Sequence, residues 1–247
     1  MKTIIFFFIS TFLFEMVCAQ DATEIIKKAY DKERGVSSQG EMTMTIVRPT
    51  WTRTIKIKMW GKGTDYSLTL ITYPAKEKGQ TFLKRKNELW SWSPTISRMV
   101  KFPPSMMSQG WMGSDYTNDD ILKETSIVVD YTHKLIGSEK IEGYDCYKIE
   151  MTPKETANVV WGKVIKWVSK TEYLQLQTIY YDEDGYKVKS DIGKNIKTIG
   201  GRLLPSVIEI IPEDEAGKKT IVELNNIEFD IKIEDSFFSQ QNMQKIR

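Results

Sequence analysis

From residue 39 to residue 229 this chain is written mostly in short stretches of period two, separated by tight turns. Met42, Met44 and Ile46 alternate with Thr43, Thr45 and Val47; Ile55, Ile57 and Met59 alternate with Thr54, Lys56 and Lys58. Side chains two apart share one face of a strand, so this pattern specifies strands with one face towards a core. Pro49-Thr50, Gly61-Lys62-Gly63, Lys86-Asn87, Asp184-Gly185, Gly200-Gly201 and Ala216-Gly217 punctuate it as turns. The spacing predicts strands over 39–48, 51–60, 66–73, 80–85 and 88–93, with a short one at 98–102. After an interruption, strands are expected over 131–136, 144–152, 163–169, 174–182, 188–199, 203–211 and 220–229. Helical periodicity is confined to 21–34, to a short stretch entered at Thr117 with Asp119 and Asp120 in its first turn, and to 235–246. Strands joined by tight turns pair antiparallel. The expectation is therefore a mainly β (α+β) single domain: one antiparallel sheet, strongly curled or closed, with a few helices.

A curled sheet has a concave face. Met42, Met44, Ile55, Ile57, Met59, Leu68 and Leu70 are the candidate lining of an apolar cavity there, which the helices can fill or cover. The segment 89–122 adds to this picture. It holds three of the seven tryptophans (Trp90, Trp92, Trp111) and four of the 11 methionines (Met99, Met106, Met107, Met112). Long loops in compact domains are functional or disordered, and this one is too apolar for disorder. Methionine-rich, aromatic surface suits an adaptable lid over a cavity or a docking surface. Trp90, Trp92, Met106, Met107, Trp111 and Met112 join the candidate site on that ground, with 106–112 expected as a flexible flap.

Residues 1–19 read as a cleaved signal peptide. Lys2 gives a basic start, the apolar run from Ile4 to Phe14 is too short to span a bilayer as a helix, and Val17-Cys18-Ala19 places cleavage before Gln20. Residues 20–247 then form the mature domain. Only Cys146 remains in it, so no internal disulfide is available and the fold rests on its core. With 35 basic and 33 acidic residues the net charge is +2, a balance that argues against a nucleic-acid partner.

Catalytic chemistry is poorly supplied. The single histidine, His133, sits in a strand pattern and reads as a surface or packing residue. Ser114 lies in no G-x-S-x-G elbow. Cys146 falls inside a strand, where a buried inert thiol is expected. Asp182-Glu183-Asp184-Gly185 lacks the later ligands of a calcium loop and reads as a hairpin turn. No enzyme activity, metal or cofactor is expected.

Several blocks, in order, resemble the LolA-like family of outer-membrane lipoprotein-sorting and lipid-carrier proteins, in the branch found beside RND-type (MMPL-like) exporters. They are Leu89-Trp90-x-Trp92-x-Pro94 with Arg98 and Lys101; Met112-Gly113-Ser114-Asp115-Tyr116 leading to Asp119-Asp120-Ile121-Leu122; and Gly143-x-x-Cys146-x-x-Ile149-Glu150 with Pro153-Lys154, followed by Trp167-Val168 and Tyr180-Tyr181-Asp182-x-x-Gly185. The resemblance implies an incomplete β-barrel with helices as a lid and an apolar cavity for acyl chains, without catalytic residues or cofactor. It implies a periplasmic, monomeric carrier of lipid or lipoprotein acyl chains, with transient membrane-protein contacts and an RND-type exporter as a partner. The archetypal carrier's single inward arginine, which helps hold the lid shut, has three candidates here: Arg48, Arg53 and Arg98. The alternative is an adaptor or regulatory module of the same fold that docks on an exporter or other envelope protein through Trp90, Trp92 and Trp111.

Overall fold

The computed structural model describes residues 21–123, 126–157, 159–214 and 216–247. The expected signal peptide lies outside the described residues. Helix α1 (Ala22–Arg34) opens the fold. Asp21 caps it, accepting from the Thr23 N–H at 2.9 Å, and Gly35 ends it at φ 65, a conformation that costs glycine nothing. Its apolar stripe, Ala22, Ile25, Ile26 and Ala29, is buried against Tyr131, Ile149, Met151, Val164 and Val168 of the sheet. Burying each isoleucine is worth roughly 1.5–3 kcal/mol.

Thirteen strands follow in one antiparallel sheet. They are β1 (Ser37–Arg48), β2 (Trp51–Lys62), β3 (Tyr66–Tyr73), β4 (Thr81–Arg85), β5 (Glu88–Ser93), β6 (Arg98–Lys101), β7 (Tyr131–Ile141), β8 (Tyr144–Pro153), β9 (Lys163–Ser169), β10 (Gln175–Tyr181), β11 (Lys187–Ile199), β12 (Arg202–Pro212) and β13 (Lys219–Phe229). Their order across the sheet is β6-β5-β4-β3-β2-β1-β13-β12-β11-β10-β9-β8-β7. The sheet is curled, one of the two forms the alternation allows, and unclosed, as the resemblance implies. Its two edges, β6 and β7, are consecutive in sequence, and the chain between them bridges the opening. At the middle of the sheet Gly40 is required: a Cβ there would stand 2.5 Å from the Asn226 carbonyl oxygen of β13.

Two expected elements differ. Strand β7 runs five residues past Ile136, because a register shift between Leu135 and Gly137 absorbs the glycine as a bulge instead of ending the strand. The C-terminal helix is split. A 3-10 turn (Asp235–Phe237) is followed by helix α3 (Gln240–Lys245), which Ser239 caps by accepting from the Asn242 N–H at 3.3 Å. This segment packs on the outer face of the sheet, where Phe238 and Met243 are fully buried against Leu68 and Leu83. The curl therefore has apolar layers on both faces near β3–β5.

Candidate functional site

A cavity of about 350 Å³ lies inside the curl, within the roughly 300–1,000 Å³ typical of small-molecule sites. Cross-strand register decides which residues face it. Met42 pairs with Ile57 and Leu224, Met44 with Ile55 and Val222, and Met59 with Gly40, so all of these share the inner face. Met42, Met44 and Met59 line the cavity with Leu224, Val222 and Ile208. Ile55 and Ile57 lie on the same face but belong to the core beneath the lid, with Ile71, Phe82 and Trp111.

Leu68 and Leu70 are placed elsewhere. The unbroken register from the turn at 63–65 sets Thr69 opposite Met59 and Ile71 opposite Ile57, facing inward, while Leu68 opposes Trp60 and Leu70 opposes Lys58; the bulge at Lys56/Ile57 comes only after this stretch. Both leucines are buried on the outer face, where Leu68 packs against the C-terminal segment. Trp90 and Trp92 share that outer face, opposite Leu83 and Thr81. The Trp90 ring lies under Lys101 and its Nε1 donates to Glu88. Trp111, by contrast, is inside and buried. The three tryptophans therefore form no single docking patch.

The lid is the chain between β6 and β7. It is a tied loop, not the loose flap expected over 106–112. Gly110 and Thr117 form an isolated bridge, the Trp111 N–H donates to the Tyr116 carbonyl at 2.6 Å, and Ser114 Oγ donates to the Trp111 carbonyl at 2.7 Å. The half-buried Met106 and Met107 contribute their carbonyls, which accept from Asn118 Nδ2 and from the Asp119 N–H. Trp111 caps the cavity, its ring 5.2 Å from that of Phe82 in an edge-on contact. Met112 packs against the same core. Helix α2 (Asn118–Lys123) begins at a reciprocal cap: the Asp120 N–H donates to Thr117 Oγ1 at 3.0 Å, and the Thr117 N–H donates to Asp120 Oδ2 at 2.8 Å.

Charged groups of the inner wall hold this lid. Arg48, on the inner face of β1, makes a two-pronged pair with Asp115 (3.0 and 3.1 Å) and donates to the Gly113 carbonyl; the two side chains are 12% and 10% exposed. Asp115 is also tied to β13: Thr220 Oγ1 donates to its carboxylate at 2.7 Å and accepts its N–H at 3.0 Å. Arg53 donates to the Met112 carbonyl at 3.1 Å and pairs with Glu77. Arg98 is exposed on the edge strand β6. Two of the three candidate arginines thus reach the lid.

A further tie was not foreseen. Lys189 of β11, its side chain 4% exposed, donates to Asp120 Oδ2 at 2.6 Å, while Trp161 Nε1 donates to Oδ1 at 3.1 Å. The ammonium lies 4.8–5.3 Å from the ring centres of Tyr116, Trp161 and Tyr180, within cation–π range. Tyr180 donates to Asp191 Oδ2 at 2.9 Å. Burial raises both the Asp191 carboxyl and the Tyr180 phenol above their usual ranges. Lysines and aspartates in a strand pattern ordinarily mark a solvated face, so nothing in the pattern marks this cluster beyond Trp161 and Tyr180 standing in the same half.

His133 bridges β7 to other elements: Nε2 meets the Ile127 carbonyl at 2.9 Å and Nδ1 lies 3.3 Å from Thr23 Oγ1. Burial lowers its pKa. Cys146 is buried, and burial raises its thiol pKa. Among the described residues no group of three or more His, Cys, Asp or Glu is placed to hold a metal ion. A second depression, of about 550 Å³, lies outside the curl between Trp60 and the C-terminal segment; it is an open groove rimmed by Lys232, Glu234 and Lys245.

Comparison with solved structures gives the same architecture repeatedly. A DUF1329 family protein from Desulfovibrio piger ATCC 29098 superposes with a TM-score of 0.82 at 24% identity, covering 90% of this chain and 98% of that one. A domain from Vibrio parahaemolyticus named for outer membrane lipoprotein sorting gives 0.79 at 20%, covering 90% and 98%. A LolA superfamily protein from Nitrosomonas europaea gives 0.77 at 24%, covering 90% and 99%. Residues 63–245 match the profile of a family described as "-like: Uncharacterized protein". The chain belongs to that family, and its fold is LolA-like. No curated protein matches the sequence.

Proposed function

We propose that the chain is a soluble periplasmic carrier, not an enzyme, that holds the acyl chains of a lipid or lipoprotein in its cavity and moves them towards the outer membrane. The observation that carries this reading is the cavity itself: Met42, Met44 and Met59 on one side and the latched Trp111 on the other enclose an adaptable apolar space. Burying roughly fourteen methylenes at about 0.8 kcal/mol each supplies on the order of 11 kcal/mol gross. Retention therefore needs no covalent or metal chemistry, and release needs the lid to move or a tighter acceptor. The reading includes export by a leader cleaved near Ala19-Gln20, action as a monomer, transient contacts with membrane proteins and delivery from an RND-type exporter. No helix among the described residues is long and apolar enough to cross a membrane, which is consistent with a mobile carrier. Solvent extraction of the purified mature protein followed by mass spectrometry tests it, together with uptake of a fluorescent fatty acid. Co-purifying lipid and saturable uptake are expected; absence of both refutes the carrier reading.

A further inference from the structure

The cavity is two-sided. Its wall from β1, β2 and β13 is apolar, with Met42, Met44, Met59 and Val222. Its wall from β9 to β11 is polar, with Lys166, Thr178, Tyr180 and Asp191 facing inward in register and Lys189 on the same strand face. Acyl chains alone give no reason for this second wall, because charges and hydroxyls inside a protein are costly unless they are matched. Most of its polar atoms are matched internally: Lys189 with Asp120, Tyr180 with Asp191, and Lys166 with Gln175, whose amide donates to Glu33 at 2.7 Å. One is not. Asp191 Oδ1 is buried and has no hydrogen-bond partner among the described residues. Buried acceptors are almost always satisfied, so this oxygen calls for a donor from outside the chain.

We propose that the β9–β11 wall is a head-group subsite, with Asp191 as its acceptor, for a neutral hydroxyl on an otherwise apolar molecule. This rests on the carrier reading and names the class of its cargo. The sign of the neighbours selects a neutral head. A cationic head at Asp191 would stand beside Lys189, which follows the same strand face, and Lys166, which opposes Thr178 next to it. An anionic head would meet Asp191 and Asp120. A hydroxyl donates to Oδ1 without adding charge, while its tail lies along the methionine wall.

The test uses the mature protein with a neutral lipophilic dye, N-phenyl-1-naphthylamine, displaced by four molecules with one tail: oleyl alcohol, methyl oleate, oleic acid and oleylamine. One hydrogen bond to a buried carboxyl group corresponds to about a tenfold preference for the alcohol over the ester. Asp191→Leu should bring the two within about twofold by removing that acceptor, while Asp191→Asn, which keeps an acceptor oxygen, should retain the preference. If Asp191→Leu does not fold, Asp191→Ala, which also removes the acceptor, serves instead and should bring the two equally close. Equal displacement by all four in the wild type overturns the subsite but leaves the carrier reading intact, as does a preference that survives whichever of Asp191→Leu and Asp191→Ala folds. Failure of the dye and of every competitor to bind overturns both.

Discussion

Replacing Arg48 with methionine isolates what holds the lid. The substitution keeps an unbranched apolar stem and removes the guanidinium, and with it two N–H···O bonds to Asp115, one to the Gly113 carbonyl and those to the Val47 and Lys219 carbonyls of the sheet. An exposed ion pair would be worth about 0–1 kcal/mol. Breaking a fully buried pair costs roughly 3–5 kcal/mol, because the remaining charge is stranded. Arg48 and Asp115 are about nine-tenths buried, yet Asp115 keeps the Thr220 hydroxyl as a donor. The expected cost is therefore intermediate, about 2–3 kcal/mol. The natural reporter is the Asp115 amide, whose hydrogen bond to Thr220 Oγ1 joins lid to sheet. If the lid opens as a local unit, hydrogen exchange at that amide accelerates by roughly 30- to 150-fold, at 1.4 kcal/mol per decade. The amides of β11 and β12 should change far less. A double-mutant cycle with Asp115→Asn should show the two residues strongly coupled. Acceleration below about threefold, or a coupling of only a few tenths of a kcal/mol as at exposed sites, would refute the latch.

Two further outcomes separate the faces of the sheet and the elements that pack on it. Phe238→Ala should lower stability by about 3–5 kcal/mol in urea titration, since the ring is fully buried between Tyr66 and Phe237; dye binding in the cavity on the other face should be unchanged where the variant is folded. His133 has a depressed pKa in the fold, so its contribution to stability is complete above its unfolded value, about 6.5, and declines as pH falls through that value towards the folded one. His133→Gln should flatten urea midpoints measured between pH 7 and pH 5; an unchanged slope would mean that the imidazole is not buried as described.

The strands were legible because one face of nearly every strand is apolar, and alternation reports that directly. Which face turns inward was less legible, and β3 shows why. Leu68 and Leu70 alternate with Thr69 and Ile71, both sets are covered, and the register across the turn at 63–65 sets the phase. Periodicity alone cannot fix that register, and the C-terminal segment that covers the outer set comes about 170 residues later. The same long-range dependence hid the polar wall. Lys166, Lys189 and Asp191 have the residue types of solvated positions, and only Trp161, Tyr116 and Asp120, brought in from the two loops before β9 and β7, give them an interior to face. The arginine candidates were narrowed by register: Arg53 opposes Ile46 and Arg48 follows it by two, so both point inward.

The topology ties these observations together. Because β6 and β7 are the two edges of the sheet and neighbours in sequence, the lid is the covalent bridge across the opening of the curl. Its two charged ties come from different halves of the sheet: Asp115 is held by Arg48 of β1 and Thr220 of β13, and Asp120, five residues on, by Lys189 of β11. Spreading β1 from β11 to admit a bulkier molecule cannot leave both ties at hydrogen-bond length while the bridge between them, fixed by its own internal bonds, stays rigid. One tie must give. The Asp115 tie carries three donors from the sheet, whereas the Asp120 carboxylate accepts from two, the Lys189 ammonium and the Trp161 indole, and the ammonium's three surrounding rings can still hold it after the carboxylate leaves. The geometry thus makes the Asp120 side the yielding one, at the wall where Asp191 awaits a donor, and the Asp115 side the hinge.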